Sequence, residues 1–197
     1  MREKVLKIIT YPHPTLRHES KPVKRVDADL RKMISRMFEL MYEAKGIGLA
    51  ANQVDLPLRL FVVNLAANAG EGEELVFINP VLSRPRGSEE SEEGCLSLPG
   101  VYGDVVRPKQ VRVNAFLLDG TELNADLDGM MARVVQHETD HLDGVLFTDR
   151  LSETGRMDVD DALHEFTLEF QSRRETGDIG SDEEIAQRLA EMEQKYC

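Results

Sequence analysis

Gln136-His137-Glu138-Thr139-Asp140-His141 sets two imidazoles four residues apart, with a carboxylate directly after the first. On an α-helix, at about 3.6 residues per turn, positions i and i+4 share a face. This is the H-E-x-x-H arrangement, in which two histidines hold a metal and the glutamate acts on water that the metal activates. A lone histidine on an apolar helix face is more often a packed core residue. Two that bracket a glutamate resist that explanation, because burying an unpartnered carboxylate is costly. A metal removes the objection. The reading then needs a helix, a third ligand and a place for a substrate.

Glu153, His164 and Glu165 lie downstream, where a third ligand is commonly found in H-E-x-x-H proteases, but none sits in a telling context. Cys95 does, in Glu93-Gly94-Cys95-Leu96-Ser97, at the end of an acidic stretch expected to be a loop. A thiolate suits divalent transition metals, and Cys/His/His with one open position is the ligand count of a catalytic centre. The alternative for Cys95 is a small buried hydrophobe. The second cysteine, Cys197, ends the chain, so a bridge to it would fasten only the tail. Two cysteines make no disulfide framework.

These residues need elements to carry them. Leu127, Met130, Met131, Val134, Val135, Glu138 and His141 recur at helical spacing, with Asp126 as the expected cap and Gly144 just past the end. An earlier helix is expected from Asp27 to Lys45, capped by Asp27, buried through Leu30, Met33, Ile34, Met37, Leu40 and Met41, and ended by Gly46. Between them, residues 58–64, 74–82, 101–106, 110–118 and 122–125 read as short strands, with Asp119-Gly120 as a hairpin turn and Pro99-Gly100 as a further turn signal. Residues 83–93 read as an acidic loop. After residue 152, helical patterns cover residues 158–174 and a last segment that Ser181 and Glu184 open as a capping box. The expected fold is α+β: antiparallel strands packed around a central metal-bearing helix, with a C-terminal helical extension. A catalytic domain over residues 1–174 is expected to precede an acidic helical tail over 175–197.

The chain has 197 residues and a formal net charge of −12, which argues against nucleic acid as a principal partner. Residues 151–197 hold 13 Asp/Glu against 5 Lys/Arg, a net of −8, so the acidity is concentrated at the end. No run approaches the ~18 apolar residues of a membrane span. Met1-Arg2-Glu3-Lys4-Val5 opens neither a secretory leader nor a transit peptide, and the expected location is the cytosol.

Three blocks, Gly46-Ile47-Gly48-Leu49-Ala50-Ala51-Asn52-Gln53, Glu93 to Ser97 and Gln136 to His141, together resemble the signature blocks of the peptide deformylases, in the same order. The likeness extends to residues 11–16, 99–108 and 142–147, and covers roughly residues 6–152. The resemblance implies an enzyme that removes the formyl group from the N-terminal methionine of new polypeptides and releases formate. Cys95, His137 and His141 would bind one divalent metal, Fe(II) by family habit, with zinc, nickel or cobalt as substitutes. Glu138 would be the general base and then acid. The Gln53 side-chain amide and the Leu96 backbone N–H would donate to the oxyanion. Ile47, Gly48 and Gly94 would line the extended peptide, and Met130, Arg133 (through its stem) and Val134 the methionine pocket. Gln136 and Asp140 would fix loop and ligand orientation. The partners implied are N-formyl-methionyl nascent peptides. A tail at net −8 is not expected to tether the protein to ribosomal RNA. Lys45 stands where the family frequently has an acidic residue, so a local ion pair there is expected to be absent or reversed. Two rivals use the same residues: an endopeptidase, and a structural metal-binding or interaction module.

Overall fold

A computed structural model of the chain describes residues 6–197, so the N-terminal reading of Met1 to Val5 lies outside the described residues. The first long helix, α1 (Ala28–Glu43), begins where Asp27 accepts the Leu30 N–H at 2.9 Å and buries Leu30, Ile34, Met37, Phe38, Leu40 and Met41 on one face. Its end differs from expectation. Lys45, at φ 57°, takes the left-handed cap position expected of Gly46, with Lys45 N–H on the Tyr42 carbonyl and Gly46 N–H on the Met41 carbonyl. Gly46 is needed for another reason: a β-carbon there would sit 2.6 Å from Leu96 Cδ1. Lys45 makes no ion pair among the described residues.

Seven strands follow: β1 (Gly48–Ala50), β2 (Leu60–Val63), β3 (Leu75–Arg86), β4 (Glu89–Cys95), β5 (Leu98–Arg107), β6 (Gln110–Phe116) and β7 (Glu122–Asp128). They form an antiparallel five-stranded sheet in the order β1-β2-β3-β6-β7 and a separate antiparallel pair, β4-β5. Strand alternation divides the large sheet between two helices. Leu60, Val62, Val76 and Ile78 pack in the cluster with α1, while Phe61, Val63 and Phe77 join Val134, Val135 and Leu142 of α2 (Gly129–Leu142). The hairpin β4-β5 packs Cys95, Leu98, Val101 and Val105 against Leu146, Phe147 and, on α3 (Glu153–Glu175), Val159 and Leu163. The helix α2 is central, as the α+β expectation has it.

Three local expectations are corrected. Residues 83–93 are no loop: β3 runs to Arg86, and β4, which pairs only with β5 among the described residues, exposes Glu89, Glu90 and Glu92 and turns Glu93 inward. Charge outside a hydrophobic run is how such edges stay soluble, so acidity here marked an exposed strand. The reversal of direction falls at Leu96-Ser97, since Cys95 pairs with Leu98; Pro99 and Gly100 lie in a bulge of β5, which absorbs Pro99's missing donor and Gly100 at φ 80°. Finally, β7 reaches Asp128, whose pairing with Gln110 delays α2 to Gly129, and Asp126 is tied to Arg112 rather than capping the helix. The helix α3 also starts earlier than expected, because Ser152 accepts the Gly155 N–H and opens it at Glu153.

The capping box of α4 (Asp182–Tyr196) forms as read, with Glu184 N–H on Ser181 Oγ and Ser181 N–H on the Glu184 carboxylate. Ile185, Leu189 and Tyr196 are buried, so α4 lies docked on the body of the molecule. No described helix is long and apolar enough to cross a membrane.

Candidate active site

All residues of α2 from Ala132 to Leu142 are buried, its polar ones included. This exceeds an amphipathic helix. The face away from the large sheet is covered by β4-β5, and every charge on it must therefore find a partner. His137 and His141 stand one turn apart with ring centroids 4.9 Å apart. The Cys95 Sγ comes from the end of β4, 3.2 Å from His141 Nε2, and the ligand atoms of Cys95, His137 and His141 all lie within 4.8 Å of one another. The two helical histidines and the hairpin cysteine thus converge, whereas Glu153, His164 and Glu165 form no part of the cluster.

The third contribution arrives from the 3-10 turn Ala51–Val54 that follows β1. Gln53 Oε1 accepts the Ala50 N–H at 2.9 Å, which fixes the amide so that its Nε2 points at Cys95 Sγ (3.3 Å) and Ser97 Oγ (3.2 Å). Leu96 follows Cys95 in the hairpin turn, with its side chain against Gly46. In the same turn Asn52 donates its side-chain amide to the His141 carbonyl, joining the glutamine's support to the metal helix.

Glu138 is 4 % exposed, and its Oε2 has no hydrogen-bond partner among the described residues. Burial pushes its carboxyl up to about 7, against the opposing pull of His137 and Arg107. That value suits a group that must take a proton and return it near neutral pH. His141 is driven well below its ordinary value, first by burial and then by His137, which keeps a neutral imidazole with a lone pair to give. Burial alone would lower His137 too, but its contacts with Cys95 and Glu93 outweigh this and raise it to about 10. The protein surroundings therefore favour a positive charge among these groups. A thiolate, two imidazoles and an attraction for positive charge fit a divalent transition metal held by three protein ligands.

Glu93 organises the rest. It accepts from Arg107 through both oxygens (2.6 and 2.9 Å), from Arg133 at 2.7 Å, and lies 3.0 Å from His137 Nδ1. With Nδ1–H donated to this carboxylate, the other ring nitrogen of His137 is left to ligate. Arg107 also reaches Asp140 at 2.7 Å, and Arg150 pairs with Asp140 from outside. Gln136 donates to the Pro108 carbonyl at 3.0 Å and so anchors the loop after β5. Sequence reasoning missed Arg107 and left Glu93 without a role. A signal was present: in β5 the inward positions run Val101, Val105, Arg107, and a charge at an inward strand position demands a buried partner.

Among the expected substrate residues, Gly48 and Val134 meet beside Glu138. A β-carbon on Gly48 would collide with the Glu138 carboxylate and sit 2.9 Å from Val134 Cγ1. Its smallness thus serves the close approach of β1 to the catalytic helix. Likewise Gly94 makes room for Tyr102, whose ring atoms would lie 2.7 and 2.8 Å from an added β-carbon. Ile47, partly buried, pairs its carbonyl with Asn64 N–H at 3.0 Å. Met130 is 55 % exposed at the start of α2, and the Arg133 guanidinium is committed to Glu93 and the Val105 and Glu89 carbonyls. Gly48→Ala should displace Glu138 and lower kcat by about 100-fold, the scale of an ångström's misplacement, while the circular dichroism spectrum and bound metal stay those of the wild type.

Fold and site together define a protein of the H-E-x-x-H type in which a cysteine from a neighbouring hairpin joins the two helical histidines in a group that could hold a metal. Residues 5–157 match the model of the polypeptide deformylases, and the chain belongs to that family. A peptide deformylase of Rhodopirellula baltica is 53% identical over 191 residues, covering 97% of this chain and 95% of that protein. The chloroplastic peptide deformylase 1B of Solanum lycopersicum is 44% identical over 171 residues, 86% of this chain but 60% of the longer plant protein. The crystal structure of a plant peptide deformylase superposes with a TM-score of 0.83 at 39% identity, covering 92% of this chain and 98% of that one.

Proposed function

We propose that this chain hydrolyses the N-formyl group from the N-terminal methionine of newly made polypeptides, releasing formate. The observation that carries it is the meeting of Cys95, His137 and His141, with Gln53 Nε2 3.3 Å from the Cys95 sulfur and Glu138 on the helix of the two histidines. Cys95, His137 and His141 would hold a divalent metal, which when bound would supply a Lewis acid and lower the pKa of water from about 15.7 towards ~7. Fe(II) is the ion that the family resemblance points to; zinc, nickel or cobalt would suit the same thiolate and imidazoles.

Glu138 takes the proton from the attacking water and hands it to the departing amine, as a buried carboxyl with a value of about 7 can do in both directions. Water oxygen bonds to the formyl carbon, the carbon–nitrogen bond breaks, and formate and a free amino terminus leave. Charge growing on the formyl oxygen is met by the Gln53 amide and the Leu96 N–H. The peptide lies extended past Ile47, Gly48 and Gly94, and its methionine side chain faces Val134, Met130 and the stem of Arg133. We place the reaction in the cytosol and assign the acidic tail no contact with ribosomal RNA.

The test is an anaerobic assay of formate release from a formyl-Met peptide beside metal analysis. Formate should appear, stop when a chelator strips the metal, and return on adding Fe(II). Cleavage of internal bonds in an unfolded protein without formate would favour an endopeptidase instead.

A further inference from the structure

The 3-10 turn that presents Gln53 is short, and other parts of the chain hold it. Asn52 donates to the His141 carbonyl, and Ile9 N–H donates to the Gln53 carbonyl at 2.8 Å. The turn ends at Asp55, which adopts the left-handed region at φ 67°. Aspartate visits this region more readily than most residues with a β-carbon, and here its carboxylate is held by partners from two other elements. Asp55 Oδ1 accepts from Thr15 Oγ1 at 2.7 Å, and a guanidinium nitrogen of Arg188 lies 2.7 Å from Oδ1 and 2.6 Å from Oδ2. The pair is largely screened from water, with side chains 28% and 12% exposed, so it holds more firmly than a surface pair.

Arg188 belongs to α4, beyond the residues 5–157 that the family model matches. The helix is well placed to transmit support. Tyr196 packs in the same cluster as Leu49, Ala51 and Val54, its carbonyl accepts Lys24 N–H at 2.8 Å, and Glu193 lies 2.7 Å from His18 Nε2.

We propose that Arg188 is a positioning residue for the Gln53 amide: through the Arg188–Asp55 pair, α4 holds the 3-10 turn in the geometry that aims Gln53 at Cys95 and the substrate. The inference rests on the reading of Gln53 as an oxyanion donor. It makes the acidic C-terminal helix a working part of the catalytic unit.

Arg188→Met keeps the stem and removes the charge. In the full-length, metal-loaded protein, kcat on a formyl-Met peptide should fall about tenfold, part of the ~100-fold that losing an oxyanion donor costs, with KM and bound metal unchanged. Arg188→Lys should recover most of the loss, because one nitrogen can bridge both Asp55 oxygens. Lys195→Ala frees another contact of α4, with Asp29, and should leave kcat at the wild-type value. A second readout comes from cobalt-substituted protein, where the thiolate-to-metal absorption reports the hydrogen bonds around Cys95. Arg188→Met should shift that band in the same direction as Gln53→Ala. If Gln53→Ala itself leaves kcat unchanged, the oxyanion reading fails. If Gln53→Ala lowers kcat and shifts the band while Arg188→Met does neither, or loses activity only in step with lost metal or lost folded protein, the brace is refuted and the role of Gln53 stands.

Discussion

Glu138→Gln should lower kcat for formate release by roughly 100- to 10,000-fold, the usual contribution of a positioned general base, while metal content stays at one ion per chain. The metal prediction follows because Glu138 is outside the Cys95, His137 and His141 cluster. The isosteric amide keeps the packing against Gly48 and Val134, so the fold has no new void to absorb. Stability should move the other way from activity. A carboxyl raised from 4.5 to about 7 binds its proton more tightly folded than unfolded. It therefore weakens the fold as pH rises from about 4.5 through 7, by up to ~3 kcal/mol above that window. Gln at this position carries no such penalty. The metal-free variant should then melt at or above the wild-type temperature at pH 8, and the advantage should shrink below pH 5. Formate assays, metal analysis and melting curves at the two pH values check all three parts. Wild-type turnover in a variant with full metal occupancy would defeat the general-base assignment.

The legibility of this site in the sequence depended on how local each part is. His137, Glu138 and His141 are fixed by one helical turn, so spacing alone placed them. Cys95 and Gln53 come from other elements: Cys95 sits in a context whose chemistry is unusual enough to notice, whereas Gln53 took its role only from the resemblance of its block to a family. The charge network is different in kind. Glu93, Arg107, Arg133 and Asp140 are separated in sequence and meet only because the β4-β5 register sets Glu93 one residue out of line from Asp104, opposite Gly103, with Arg107 inward on the same face. A pattern of strands without register cannot contain that information. For the same reason the acidic strand 89–93 passed for a loop: its inward residue is a glutamate, so the alternation of apolar and polar side chains never appears. The last helix announced itself by its capping box, but where it docks depended on Asp55 and His18, far away in the chain.

That network makes Glu93→Gln the second large effect. Glu93 is 7% exposed and serves Arg107, Arg133 and His137 at once. Burial alone would raise its carboxyl, but His137 and Arg107 outweigh burial and hold it at about 2, below its ordinary 4.5. Removing the charge leaves guanidinium groups buried with too few acceptors; Arg107 keeps Asp140, and Arg133 keeps only backbone carbonyls. Loss of one partner from a buried ion pair typically costs about 3–5 kcal/mol. The shift in the carboxyl gives a similar figure, about 3 kcal/mol. For a chain of this size the melting temperature should drop by roughly 10 °C. The sign of the pH dependence is set by the depressed value: the stabilisation is complete above 4.5 and disappears as pH falls towards 2. Melting curves of metal-free wild type and variant should therefore converge in that range, since protonated Glu93 and Gln are nearly equivalent. His137 also loses the acceptor that fixes its ring, which should weaken metal binding by about 10- to 100-fold, the usual effect of removing such a support. A variant that melts with the wild type at pH 7 and binds metal as tightly would show that the four charges are held apart from the metal ligand rather than orienting it.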